Sequence, residues 1–161
     1  MSPSTPRAGR ISGQVVAAYG RHYLVEAVDG AFLRCVPRGK QSLVACGDRV
    51  QVVGTGPGEA VIEDTAPRTT LFLRAAAHRR KLIAANATQV AVICAGEPSL
   101  ADELVARVLA AAESQSLRAL LVLNKIDLAG PTEGARKRLA PFVQAGYPAL
   151  ELSAQRDVAP L

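Results

Sequence analysis

The sequence predicts two folding units in series, a small β-barrel followed by an α/β unit built on a parallel sheet. Three observations carry this. Residues 10–66 break into five short apolar or alternating runs between turn signals. Near residue 89 the rhythm changes to strand, helix, strand, helix, strand, the pattern of parallel βα units. The second of those later strands ends abruptly in Asn124-Lys125-Ile126-Asp127. A chain of 161 residues has room for two such units, each with its own small core.

The opening "MSPSTPRAGR" has no apolar h-region, so residues 1–8 are expected to form a disordered tail and not a signal peptide. The five runs are "RISGQVVAA", "YLVEAV", "AFLRCVP", "DRVQVVG" and "EAVIEDT". They are divided at Tyr19-Gly20, Asp29-Gly30, Gly47-Asp48 and Gly54-Thr55-Gly56-Pro57-Gly58, and Asp29-Gly30 suits a hairpin turn. Five strands at this spacing, over residues 9–66, predict a five-stranded OB-fold, a barrel that commonly binds nucleic acid. An SH3-like barrel is the main rival. Tyr19, Tyr23 and Phe32 are the barrel's aromatics, with Tyr23 and Phe32 read as core. So few rings favour recognition of folded RNA by backbone and shape over base stacking.

Residues 67–88, "PRTTLFLRAAAHRRKLIAANAT", read as a basic linker in which Arg74, Arg79, Arg80 and Lys81 either touch a polyanion or are simply solvated. "QVAVICAG" then forms a continuous apolar strand, as expected when both faces are covered. Ser99 and Asp102 stand at capping-box spacing ahead of a helix to about Ser114, with Leu100, Leu104, Val108 and Ala111 on one face. "RALLVLNKIDL" and "YPALELSA" are the next two strands. The helix between them, about Thr132 to Ala145, is expected to be short or kinked by Gly134 and Pro141 and to stop at Gly146.

Charge is unevenly placed. Residues 1–81 hold twelve Lys and Arg against six Asp and Glu, and residues 82–161 hold seven against eight, so the net charges are +6 and −1. The basic first half points to a polyanion, with Arg34, Arg38 and Lys40 as candidate phosphate contacts and Arg10 and Arg21 within reach of the same partner. Cys35, Cys46 and Cys94 lie far apart and form no C-x-x-C pair, which fits reduced cysteines in a cytoplasmic protein. His22 and His78 have no ligand-spaced neighbours, no metal site is expected, and no run is apolar enough to span a membrane.

The chemistry concentrates at the carboxyl ends of the later strands, where open α/β sheets gather ligands. A carboxylate at Asp127 can accept parallel hydrogen bonds from N1–H and the exocyclic amine of guanine, a donor pair that adenine lacks on that edge. Asn124 would tie the loop to the base, and Lys125 would lay its stem over the ring. Ser153-Ala154 closes the next strand, where the Ala154 amide can meet guanine O6. "DLAG" at 127–130 matches a magnesium-linked D-x-x-G pattern only by coincidence, since Asp127 cannot serve both ends of the nucleotide. No G-x-x-x-x-G-K-[ST] phosphate loop occurs in the chain, and no catalytic residue is assigned.

Together "RGK", "GDRV", "IAANATQV", "VLNKIDL", "GY" and "LSA", across residues 9–158, resemble the circularly permuted, small-ribosomal-subunit-dependent GTPases of the RsgA/YjeQ family. The resemblance implies an OB-fold, then a P-loop-type GTPase domain whose base-reading motifs precede the phosphate loop, then a zinc-binding helical domain. Residues 89–161 would be an incomplete GTPase domain whose first strand is an open apolar edge. The phosphate loop, the Mg2+ ligand and the structural Zn2+ site would follow Leu161, leaving these residues inactive alone. The family implies GTP or GDP as ligand, GTP hydrolysis, and action in late maturation of the small (30S) subunit on its 16S rRNA. A monomer without membrane contact is expected when the protein is complete. The competing reading is a non-catalytic RNA-binding assembly module that keeps a vestigial nucleotide half-domain.

Overall fold

The computed structural model describes residues 9–39, 44–76 and 79–156, so the expected tail, Lys40 and His78 lie outside the described residues. The chain divides into two compact units, Met1–Ala87 and Thr88–Leu161.

In the first unit, β1 (Arg10–Tyr19), β2 (His22–Ala27), β3 (Phe32–Pro37), β4 (Arg49–Gly56) and β5 (Glu59–Thr65) form a closed barrel. Its strand order is β1-β2-β3-β5-β4, with β4 returning to β1 and β3 parallel to β5. This is the OB-fold, not the SH3-like rival. A bulge between Val15 and Ala17 bends β1, so that one strand pairs with β4 through Arg10–Gln14 and with β2 through Gly13–Tyr19. Alternation sends Val15, Val25, Cys35, Val52 and Ile62 inward, where they pack with Tyr23, Val50 and Ala60. Burying each Val or Ile contributes about 1.5–3 kcal/mol, the main stabilisation of so small a barrel.

Phe32 is not in that core. It is 58% exposed, because the inward residues of β3 are Leu33 and Cys35, and Phe32 shares the outward parity of Arg34 and Val36.

The expected linker is largely an antiparallel hairpin of β6 (Leu71–Ala76) and β7 (Arg79–Ala85). Its apolar runs "LFL" and "LIAA" flank a basic segment that hides the alternation in the sequence, and Arg74 stands directly opposite Lys81. A polar cluster fastens this hairpin to the barrel. Buried Asp48 receives two hydrogen bonds from the Arg68 guanidinium, each 2.7 Å, and one from the Ala45 amide at 2.8 Å. Asn86 donates its side-chain amide to the Gly47 carbonyl at 2.9 Å and accepts from the Thr69 amide at 2.8 Å. The Ala85 amide donates to the Cys46 carbonyl at 2.8 Å.

In the second unit, β8 (Gln89–Ala95), α1 (Asp102–Glu113), β9 (Arg118–Asn124), α2 (Ala129–Gln144) and β10 (Ala149–Glu151) follow the expected order. The sheet is parallel, in the order β10-β9-β8, so β9 is central and buries Leu121, Val122 and Leu123. β8 lies at an edge with Ile93 68% exposed.

Both helices differ in detail from expectation. Ser99 does not cap α1: Ala101 holds the N-cap position, while Ser99 and Asp102 accept hydrogen bonds from Arg138. The buried face of α1 is Val105, Leu109 and Ala112, and Leu104 is exposed. An alanine- and valine-rich helix offers two adjacent apolar stripes of equal period, and only packing selects between them. α2 begins at Ala129, three residues before the expected start, because Pro131 in a first turn has no amide to leave unpaired. It continues through Pro141 to Gln144 and ends at Gly146 (φ 99°), with Gly146 and Tyr147 donating to the Val143 and Phe142 carbonyls.

Candidate functional site

At the carboxyl end of the sheet, β9 delivers the segment 124–128 and the chain after β10 delivers 153–155. The two strand ends are joined by the Leu152 amide donating to the Leu123 carbonyl at 2.9 Å and by Ile126 to Leu152 at 3.4 Å. Parallel pairing in one register therefore brings both polar clusters to one rim. They line a recess of about 380 Å³ with Asn124, Lys125, Asp127, Leu128, Ser153, Ala154 and Gln155 in its wall.

Polar contacts organise this rim. Asn124 Oδ1 accepts from the Lys125 amide at 2.7 Å and from the Ala154 amide at 3.0 Å, tying the two loops together. The Ser153 hydroxyl, on a buried residue, donates to Asp127 Oδ1 at 2.6 Å. That bond is the main reason the Asp127 carboxyl titrates below the ordinary aspartate value, and the positive charges of Arg156 and Lys125 act in the same direction. The Asp127 carboxylate is thereby stabilised and meets Ser153 through Oδ1. Lys125 adopts φ 62° and sends its ammonium to the Glu97 carbonyl at 2.9 Å, which stretches its aliphatic stem between the ends of β9 and β8.

Gly96 makes this close approach feasible. A Cβ there would lie 2.2 Å from the Pro131 carbonyl oxygen, so only glycine lets the end of β8 pass against the start of α2. Buried Thr132 reaches back from α2 to the Leu128 carbonyl at 2.7 Å and the Lys125 carbonyl at 3.2 Å. Gly96, Glu97 and Thr132 are absent from the residues expected from sequence. Only Thr132 has a readable signal, as a lone hydroxyl on an otherwise apolar helix face beside Ala135 and Leu139.

Asn124, Lys125, Asp127, Ser153 and Ala154 thus converge. The Ala154 amide, expected to meet a base oxygen, is engaged by Asn124 and would have to be shared or released on binding.

Of the five basic residues expected on the barrel, the four described ones do not form one free patch. Arg10 pairs with Glu63 and Asp64, each at 3.5 Å, and Arg38 also bonds to Glu63. Arg21 donates to the Gly39 carbonyl at 3.4 Å, beside the end of β3. Arg34 points outward, opposite Leu24 on β2 and Glu59 on β5. Lys40 is outside the described residues.

Cys35 and Cys94 are buried, and burial raises both thiols, leaving little reactive thiolate. Among the described residues, no three His, Cys, Asp or Glu are grouped to hold a metal ion, and no helix is long and apolar enough to cross a membrane.

Comparison with known proteins gives the family and the fold. The family described as RsgA GTPase matches residues 65–160. The chain is 48% identical over 151 residues to the small ribosomal subunit biogenesis GTPase RsgA of Nitrosospira multiformis, covering 94% of this chain and 48% of that protein. The chain spans about half the length of the curated relatives it matches. Among solved structures, YjeQ from Thermotoga maritima superposes with a TM-score of 0.63 at 27% identity, over 91% of this chain and 52% of that one. YloQ, a circularly permuted GTPase, gives 0.62 at 18% identity over 96% and 55%, a likeness of fold.

Proposed function

Because the chain belongs to the RsgA GTPase family, we propose that it supplies the guanine-reading and ribosome-docking parts of a GTPase acting in late maturation of the small (30S) ribosomal subunit. Asn124, Lys125, Asp127, Ser153 and Ala154 read the base of GTP or GDP. Asp127 Oδ2 and the remaining lone pair of Oδ1 accept from guanine N1–H and its 2-amino group. Asn124 holds the two loops together, and Lys125 covers one face of the ring. The carrying observation is the meeting of Asp127, held ionised by Ser153, with Asn124 and Ala154 on one rim.

The domain assignment follows: residues 9–66 bind RNA, and residues 89–161 are the base-reading portion of a permuted GTPase domain. Hydrolysis belongs to the protein that carries a phosphate loop. Mg2+ would sit there with the phosphates, and a structural Zn2+ would belong to a further domain. A cytoplasmic location fits this work.

Without a phosphate loop, base recognition has only a few hydrogen bonds to act with. Those to a charged group are each worth roughly 1.5–3 kcal/mol before ordering costs. A millimolar complex already requires about 4 kcal/mol. The 161-residue chain is therefore expected to bind GDP at millimolar strength or weaker, with preference over ADP. Calorimetry that returned low-micromolar binding would refute this account of the site.

The barrel is proposed to contact 16S rRNA through Arg34, Arg38, Lys40, Arg10 and Arg21, by charge and shape. Reversing Arg34, Arg38 and Lys40 to Glu is expected to weaken small-subunit binding and flatten its salt dependence. Arg34 should carry more of the loss than Arg38, whose charge is already answered by Glu63. Unchanged pelleting with the subunit at low and moderate salt would move the contact elsewhere.

A further inference from the structure

Three polar side chains are buried among the described residues, Asp48, Thr132 and Ser153, and two of them lie at the candidate guanine site. Ser153 touches Asp127 directly. Thr132 reaches the recess wall through the backbone of two of its residues, Lys125 and Leu128. Its residue is 1% exposed, and its hydroxyl lies 2.7 Å from the Leu128 carbonyl and 3.2 Å from the Lys125 carbonyl. A hydroxyl has one proton to give, so it donates to Leu128 and is shared with Lys125. Those two carbonyls bracket Asp127 in sequence, one on each side.

The turn between them needs holding. Lys125 sits at φ 62°, a conformation that an L-residue keeps only when its surroundings impose it. Leu128 occupies the N-cap of α2 and has no side-chain oxygen for the first-turn amides. No acidic residue lies in that first turn, and Gly130 and Pro131 give it little intrinsic helix preference. From outside, Gly96 abuts Pro131 and fixes where the helix can start. From beneath, Thr132 is the side chain that links the start of α2 to both ends of the turn.

We propose that Thr132 is a positioning residue for guanine specificity: its buried hydroxyl sets the 125–128 turn and so the aim of the Asp127 carboxylate. The inference rests on the guanine reading above. Removing the hydroxyl lets the turn relax and takes the side-chain donor from both carbonyls, though each keeps a backbone partner, Leu128 N–H on Lys125 and Thr132 N–H on Leu128. The fold therefore survives, while the carboxylate loses its register with N1–H and the 2-amino group.

The test follows amide shifts of the 161-residue chain titrated with GDP, with IDP, which lacks the 2-amino group, and with ADP. The original chain is expected to favour GDP over IDP by about tenfold. Thr132→Val keeps shape and β-branching but removes the hydroxyl, and should reduce that preference to about twofold or less. Thr132→Ser keeps the hydroxyl, loses a buried methyl, and should melt at a lower temperature while retaining the preference. This separates aim from stability. Should Thr132→Val fail to fold, Thr132→Ala against Thr132→Ser differs by the hydroxyl alone and reads the same ratio. A Thr132→Val chain with the original GDP-to-IDP ratio overturns the role of Thr132 and leaves the guanine reading standing. An original chain that prefers neither GDP over IDP nor GDP over ADP, and whose titration is unaltered by Asp127→Ala, overturns both.

Discussion

Gly47→Ala is expected to destabilise the barrel unit by at least about 3 kcal/mol, because it attacks the joint between barrel and hairpin at its tightest point. Gly47 has φ 91°, and a Cβ there would stand 2.0 Å from the Ala85 carbonyl oxygen. A left-handed conformation alone costs a non-glycine residue about 1–2 kcal/mol. The clash is with backbone, so no rotamer relieves it. The segment must move away, and with it go the bonds from Ala85 to Cys46 and from Asn86 to Gly47, each worth about 1 kcal/mol. Asp48, completely buried one residue on, would be drawn from its bidentate contact with Arg68. Urea denaturation of the full chain measures the loss, and a change below about 1 kcal/mol would show that the joint does not hold the unit together. Helical circular dichroism from α1 and α2, in the other unit, should change little at denaturant concentrations that unfold the barrel.

That joint illustrates what local sequence pattern cannot convey. The barrel strands are legible because each alternates with period two between Gly-marked turns, and the parity that exposes Arg34 also exposes Phe32. Reading Phe32 as core ignores its own strand's phase. The hairpin is obscured for a different reason: its apolar runs are three and four residues long and the segment between them is basic, which resembles a solvated linker. What identifies it as part of the barrel unit is long-range, a carboxylate at 48, a guanidinium at 68 and an amide at 86, residues that no periodicity connects. Asn86 at φ 55° is the single local clue, since Asn tolerates that conformation better than most residues.

The candidate site is more legible than the fold around it. Two polar clusters ending neighbouring parallel strands must share a rim, so Asn124, Asp127, Ser153 and Ala154 can be grouped from spacing alone. Their internal bonding cannot. That Ala154 donates to Asn124, that Ser153 keeps Asp127 ionised, and that Thr132 sits beneath the turn depend on how α2 starts. Sequence spacing places that start three residues late.

Asp127→Asn is expected to turn the site from guanine towards xanthine, shifting the ratio of xanthine to guanine nucleotide binding by about a hundredfold. The carboxylate offers two acceptors to the N1–H and 2-amino donors of guanine. An asparagine offers one acceptor and one donor, so its amide nitrogen faces the 2-amino group, donor against donor. Xanthine carries N1–H beside a C2 carbonyl, and asparagine complements both. The substitution is nearly isosteric and the Ser153 hydroxyl can still donate to the amide oxygen, so the rim should keep its shape. Titrating both chains with GDP and XDP measures the inversion, and pH gives an independent sign. The Ser153 bond holds the Asp127 carboxyl below its ordinary value, so GDP binding to the original chain should persist as pH falls through the usual aspartate range. It should be lost only when Asp127 itself takes up a proton. XDP binding to the Asp127→Asn chain has no carboxylate to protonate at this position and should lack that acid limb. If Asp127→Asn weakened GDP and XDP alike, the residue would be supporting the loop without reading the base, and selection would have to lie with Asn124 and Ala154.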